Sequence, residues 1–185
     1  SLAFIVLLLQ IIPASSLALY VVNKVFTWLL SPSLPPKIEL KDVPENLKTL
    51  VAVPCMFSDK NKVDILINNL EKRFLSNKFS NVYFALLSDY KDSDEEESED
   101  DKKNLSYLRK RVKQLNSKHK ASGYDVFYLF HRKRLFNESE DCWMGWERKR
   151  GKLMELVSWL SDDSRNVKTT FSVIDGDMSK LRGVR

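Results

Sequence analysis

The chain has 185 residues, room for one domain and a short appendage, and its 43% hydrophobic content is enough for a packed core. Two cysteines do not make a disulfide framework, and although HRKR and RKRGK could serve a nucleic-acid binder, the acidic run and the missing repeat of aromatics argue against one. Charge, +5 in total, is segregated: residues 92–101 (DSDEEESEDD) are almost all acid, while 131–134 (HRKR) and 148–152 (RKRGK) are basic, so local fields matter more than the total.

Residues 2–30 carry a single charge, Lys24, and read as a membrane segment or pair of segments. Pro13 followed by Ala14, Ser15 and Ser16 predicts a break, giving helices over 2–12 and 14–30, with Trp28 at headgroup level. A buried soluble hairpin is the alternative. Residues 31–48 form a linker, stiffened by Pro35 and Pro36. Lys24, Lys37, Lys41 and Lys48 flank the apolar run and favour a cytoplasmic location for the domain after the linker. A chain that starts inside an apolar run and stops just after a strand-like segment reads as a fragment of a larger polypeptide.

From residue 49 the pattern changes to alternating strands and helices. TLVAVP (49–54) predicts a strand ended by Pro54. Ser58 then caps a helix with Val63, Leu66, Leu70 and Phe74 on one face. NVYFALLSD (81–89) is apolar on both faces, as in a buried parallel strand. The acidic run reads as a loop. A helix over 104–118 turns Leu105, Leu108, Val112 and Leu115 inward, and 124–130 predicts a third strand. A helix over 152–161 and a strand over 169–175 complete the pattern. This order predicts an α/β domain with a parallel sheet and helices on its faces. Ligands bind at the carboxyl ends of such strands.

Those ends carry Pro54–Cys55, Ser88–Asp89, the basic loop HRKR and Asp175–Gly176–Asp177. Three carboxylates and many bases would thus gather at one edge. Asp175 and Asp177, two apart across a glycine, are hard donors suited to Mg²⁺ or Mn²⁺ beside diphosphate oxygens. Asp89 suits a base-edge N–H or a ribose hydroxyl, or simply starts a loop. In the basic segment, Lys149, Arg150 and Lys152 around Gly151 at a helix start suit an anion, or form a solvated first turn. Trp143 and Trp146 either pack in the core or stack on a sugar ring. No nucleophile–base set, P-loop or dinucleotide fingerprint is present.

WMGWERKRGKL (143–153) closely resembles the signature of the bacterial cyclic β-1,2-glucan synthases, with FALLSD (84–89), residues 130–153 and VIDGD (173–177) in the family's order and approximate spacing. The resemblance implies a glycosyltransferase-A (nucleotide-diphospho-sugar transferase, Rossmann-like) fold, of which 49–185 would be the donor-binding N-terminal half. It implies an inverting, UDP-glucose-dependent glucosyltransferase of the bacterial inner membrane, with this domain on the cytoplasmic face and a growing glucan as acceptor. Asp89 resembles the acid that binds uracil and ribose, and Pro54 falls in the matching first strand. Lys149, Arg150, Gly151 and Lys152 resemble the motif that meets the diphosphate, and Asp175 and Asp177 the pair that holds Mg²⁺ or Mn²⁺. Gly176 and Met178 depart from the family, which has a small residue such as Ala or Ser between the acids and then Thr. The general base is expected beyond Arg185, so donor or metal affinity is expected of the chain rather than turnover. No nucleic-acid partner is implied. The alternative is a non-catalytic glycosyltransferase-like module for membrane assembly.

Overall fold

The computed structural model describes residues 2–30, 41–119, 123–161 and 167–184. The chain divides into two compact units, residues 1–40 and 41–185. In the first, the apolar run is one helix, α1 (Leu2–Leu29), with no residue buried. It passes through Pro13 rather than breaking there. Proline removes one helical hydrogen bond and crowds the preceding turn. The hydroxyls of Ser15 and Ser16, which both donate to the Ile12 carbonyl at 2.8 and 3.0 Å, add bonds at that turn. Most of the predicted linker, 31–40, lies outside the described residues.

The second unit contains β1 (Thr49–Phe57), α2 (Lys60–Ser76), β2 (Val82–Tyr90), α3 (Glu99–Lys118) and β3 (Phe127–Arg132). A hairpin, β4 (Leu135–Asn137) and β5 (Cys142–Met144), then precedes α4 (Arg148–Ser161) and β6 (Phe171–Asp175). The main sheet has the order β1-β2-β3-β6. β1, β2 and β3 are parallel, as the sequence predicts. Pro54 does not end β1, which runs on to Phe57, because an edge strand tolerates a residue without an N–H.

Alternate residues of the strands feed two cores. Phe84, Leu86, Phe127 and Leu129 pack with Val63, Ile67, Leu70 and Phe74 of α2 and with Leu105, Leu108, Val112 and Leu115 of α3. In α2 the buried residue is Ile67, while Leu66 is only partly covered. Tyr83, Ala85, Leu87, Tyr128 and Phe130 face Leu156 and Trp159 of α4. The α-β-α layering is therefore a direct consequence of strands apolar on both faces.

β6 departs from expectation: it runs antiparallel to β3. Its start is fixed at the carboxyl edge of the sheet. There the Lys133 N–H donates to the Thr170 carbonyl at 3.0 Å, and the Thr170 N–H donates to the Glu155 carboxylate at 2.9 Å. From that anchor the strand can only run back towards the start of β3.

Candidate functional site

The carboxyl ends of β1, β2 and β3 do converge, on the α4 side of the sheet. Asp89 of β2 is 2% exposed and Arg132 of β3 is 1% exposed. Arg132 grips Asp89 through two parallel bonds, Nε to Oδ1 at 2.8 Å and Nη2 to Oδ2 at 3.0 Å. Lys152, from the first turns of α4, adds its ammonium to Asp89 Oδ2 at 2.8 Å and donates to the Cys55 carbonyl at 2.9 Å. Arg132 also donates to the Trp146 and Arg148 carbonyls and to Glu155 at 3.3 Å. Two acids and two bases balance in a closed network. Such a cluster is costly to desolvate, so it persists only because each partner is bonded.

The glycines of the 142–152 stretch are explained by this cluster. A Cβ on Gly145 would come within 2.8 Å of an Asp89 carboxylate oxygen. One on Gly151 would meet the Trp146 carbonyl oxygen at 2.2 Å. Backbone has to press closely onto buried Asp89 and Arg132, and only glycine allows it.

The predicted site residues thus divide. Asp89, Gly151 and Lys152 come together, but Asp89 has both oxygens taken and Lys152 is 3% exposed; Pro54 lies on β1 level with Leu87, two residues short of Asp89. Lys149 and Arg150 of the same run are exposed at the start of α4. Trp143 packs edge-on against Phe136, with ring centres 5.6 Å apart, whereas Trp146 is 45% exposed.

Asp175 and Asp177 are not brought to this edge. Asp175 lies level with Leu129, three residues back from Arg132, because β6 is antiparallel. Strand spacings place its Cα about 14 Å from that of Asp89. It also faces the opposite side of the sheet, where Arg109 of α3 holds both its oxygens, at 2.7 and 3.0 Å. Asp177 lies by the start of β3: the Tyr128 hydroxyl bonds to the carbonyls of both Asp177 and Asp125 at 3.0 Å. Hydrogen bonds from the Ser179 hydroxyl and N–H hold the Asp177 carboxyl below the usual carboxylate range. The expected gathering of three carboxylates therefore does not occur. As arranged, Asp175 and Asp177 do not fit a divalent cation, since a guanidinium already fills the place of one. Among the described residues no cluster of three or more His, Cys, Asp or Glu is placed to hold a metal.

Two features were not foreseen. The acidic run is no featureless loop: its second half starts α3, with Ser98 and Asp101 bonding each other's backbone N–H in a capping box. Arg134, 3% exposed, draws in the first half by donating to the carbonyls of Lys91, Glu95 and Glu96 and to the Asp101 carboxylate. Burial works to raise the Asp101 pKa, but the bonds from Arg134 and Ser98 outweigh it and hold the carboxyl low. The second feature is His131, next to Arg132. Its Nδ1 is 2.9 Å from the Ser88 hydroxyl, its Nε2 is buried without a partner, and burial pushes its pKa down to about 4. Cys55 is a free thiol that burial pushes up to about 12, which leaves it no thiolate character.

An apolar helix in one unit and, in the other, an α/β domain with a mainly parallel sheet that gathers charge at its strand ends define the class of protein. No protein-family model matches the chain. It is, however, 45% identical over 160 residues, 86% of its length, to the cyclic β-(1,2)-glucan synthase NdvB of Rhizobium meliloti (strain 1021). The chain spans only 6% of that protein. The resemblance read from the sequence is borne out, and the chain is a homologue of one segment of a cyclic β-(1,2)-glucan synthase.

Proposed function

We propose that the chain is part of a membrane-bound inverting glucosyltransferase that makes β-1,2-glucan from UDP-glucose, and that 49–185 is the donor half of a glycosyltransferase-A domain on the cytoplasmic face. The observation that carries this reading is the 45% identity over 86% of the chain to a glucan synthase. The arrangement at the strand ends supports a division of labour within the basic run. Lys152 holds Asp89 inside, while Lys149 and Arg150 are exposed at the amino end of α4, where they could meet a diphosphate once Arg150 gives up its 3.3 Å ion pair with Glu147. Charge developing on a departing UDP would be stabilised there. Since Arg109 holds both Asp175 oxygens, the residues as arranged do not fit Mg²⁺ or Mn²⁺, and no step of this proposal runs through a metal ion.

Calorimetry of the detergent-solubilised chain with UDP and UDP-glucose, with and without Mn²⁺, tests the reading. Wild type binds, and the double variant Lys149→Ala, Arg150→Ala binds roughly tenfold more weakly. A folded chain that takes up neither ligand under any condition removes the donor site. The closed Asp89–Arg132–Lys152 network would then stand as a structural lock in a non-catalytic membrane-assembly module. That second reading is favoured by one observation, that both Asp89 oxygens are occupied.

A further inference from the structure

The β4–β5 hairpin and the turn leading into α4 enclose a cavity of about 610 Å³, within the usual range for small-ligand sites. Phe136 and Trp146, 49% and 45% exposed, are its aromatic surfaces. Trp146 lines the cavity, and its ring also lies against Gly151, where an added Cβ would come within 2.7 Å of Cε3. Its position is fixed from both sides. Glu147 and Arg148, the next two residues, hold φ values of +43° and +42°, a sparsely populated region for residues with a side chain. Behind Phe136, Trp143 packs edge-on.

The polar lining sets the ligand class. Asn137, Glu138, Glu140 and Glu147 contribute an amide and three carboxylates, against a single guanidinium, Arg148. Arg148 is already engaged by Asp92 at 2.9 Å and Glu140 at 3.5 Å, and Glu147 is paired with Arg150 at 3.3 Å, so the lining keeps a modest negative balance. An excess of negative charge repels a nucleotide diphosphate. Carboxylates and an amide around an apolar aromatic floor suit a neutral polyol, whose hydroxyls donate to the rim while its C–H face lies on the ring.

We propose that this cavity is a saccharide subsite, in which Trp146 forms the stacking floor for a short stretch of glucan and Asn137 and Glu138 bond its hydroxyls. The assignment rests on the glucan-synthesis reading above, yet uses none of the residues assigned to the donor.

The test is titration of the detergent-solubilised chain with β-1,2-linked glucose oligosaccharides, and separately with UDP-glucose, by calorimetry and tryptophan fluorescence. Wild type binds the oligosaccharides and its fluorescence changes. Trp146→Leu weakens that binding roughly tenfold and Asn137→Ala weakens it several-fold, with the UDP-glucose heat unchanged in both. Asn137→Ala and Glu138→Gln carry the test if Trp146→Leu does not fold. Oligosaccharide binding without UDP-glucose binding supports the subsite and removes the donor reading. UDP-glucose binding without any oligosaccharide binding overturns the subsite and leaves the donor reading intact. Oligosaccharide binding that none of these variants alters also overturns it.

Discussion

Lys149 and Lys152 stand three residues apart on one helix, the first exposed and the second buried. Lys152 is one of two cations that neutralise buried Asp89, so Lys152→Met leaves the network a positive charge short. Breaking a buried pair in this way costs about 3–5 kcal/mol. Denaturant unfolding should show that loss for Lys152→Met. It should show a change within about 0.5 kcal/mol for exposed Lys149→Ala, whose effect the proposed donor site places in UDP binding instead. Arg109 and Asp175 raise a different question, because the guanidinium sits where a cation would. Arg109→Ala should strengthen Mn²⁺ binding to the chain, read by the electron spin resonance of free Mn²⁺. Unchanged Mn²⁺ binding in that variant would remove Asp175 as a ligand. His131 gives a pH dependence. Its pKa falls from the ordinary 6.5 to about 4 on folding, because burial disfavours the charged ring. The unfolded chain therefore binds more protons between those values. The contribution to stability is complete above pH 6.5 and is lost as pH falls towards 4, about 3 kcal/mol in all. His131→Leu should flatten stability against pH across that window relative to wild type.

At the scale of elements, α3 illustrates how the acidic run is used. Glu99, Asp100 and Asp101 lie in its first turn, where negative charge complements the helix dipole, and Ser98 caps it. Ser98→Ala should cost about 1 kcal/mol, measured as a drop in the denaturation midpoint at constant slope. The capping pair Ser98 and Asp101 was missed because the run's composition reads as a loop, and its contact with Arg134 is 33 residues distant. The inward faces of α2 and α3 and the two-faced β2 were legible because periodicity is a local signal. The hairpin was not, since strands of three residues are too short to show alternation. Nor was the direction of β6, which depends on Thr170 meeting Glu155 and Lys133 rather than on any pattern within the strand. That one reversal separates the candidate site into legible and illegible parts. Asp89 lies at the carboxyl end of its strand as predicted and meets Lys152 of α4, while Asp175, also at the carboxyl end of its strand, is carried to the other face.

For the whole molecule, the two units make opposite demands on solvent. α1 has 28 residues, which extends about 42 Å, more than the roughly 30 Å of a bilayer's hydrocarbon core. Its large apolar side chains, from Leu2 to Leu29, are all exposed, so nothing described within its own unit shields them from water. Residues 41–184, in contrast, bury two apolar clusters on either side of one sheet. Their surface is highly charged, with Lys102, Lys103, Lys110 and Lys113 exposed along α3. A bilayer would act on α1 through hydrophobic burial, which is indifferent to salt, and on the rest only through surface charge, which is screened. The two contributions are separable by experiment. The full chain should co-sediment with neutral phosphatidylcholine vesicles at both low and high salt. Residues 41–185 alone should stay in the supernatant, with a cooperative unfolding transition that keeps the His131 pH dependence. Co-sedimentation of 41–185 with neutral vesicles at high salt would show that the second unit has a membrane-binding surface of its own, and that α1 is not the sole anchor.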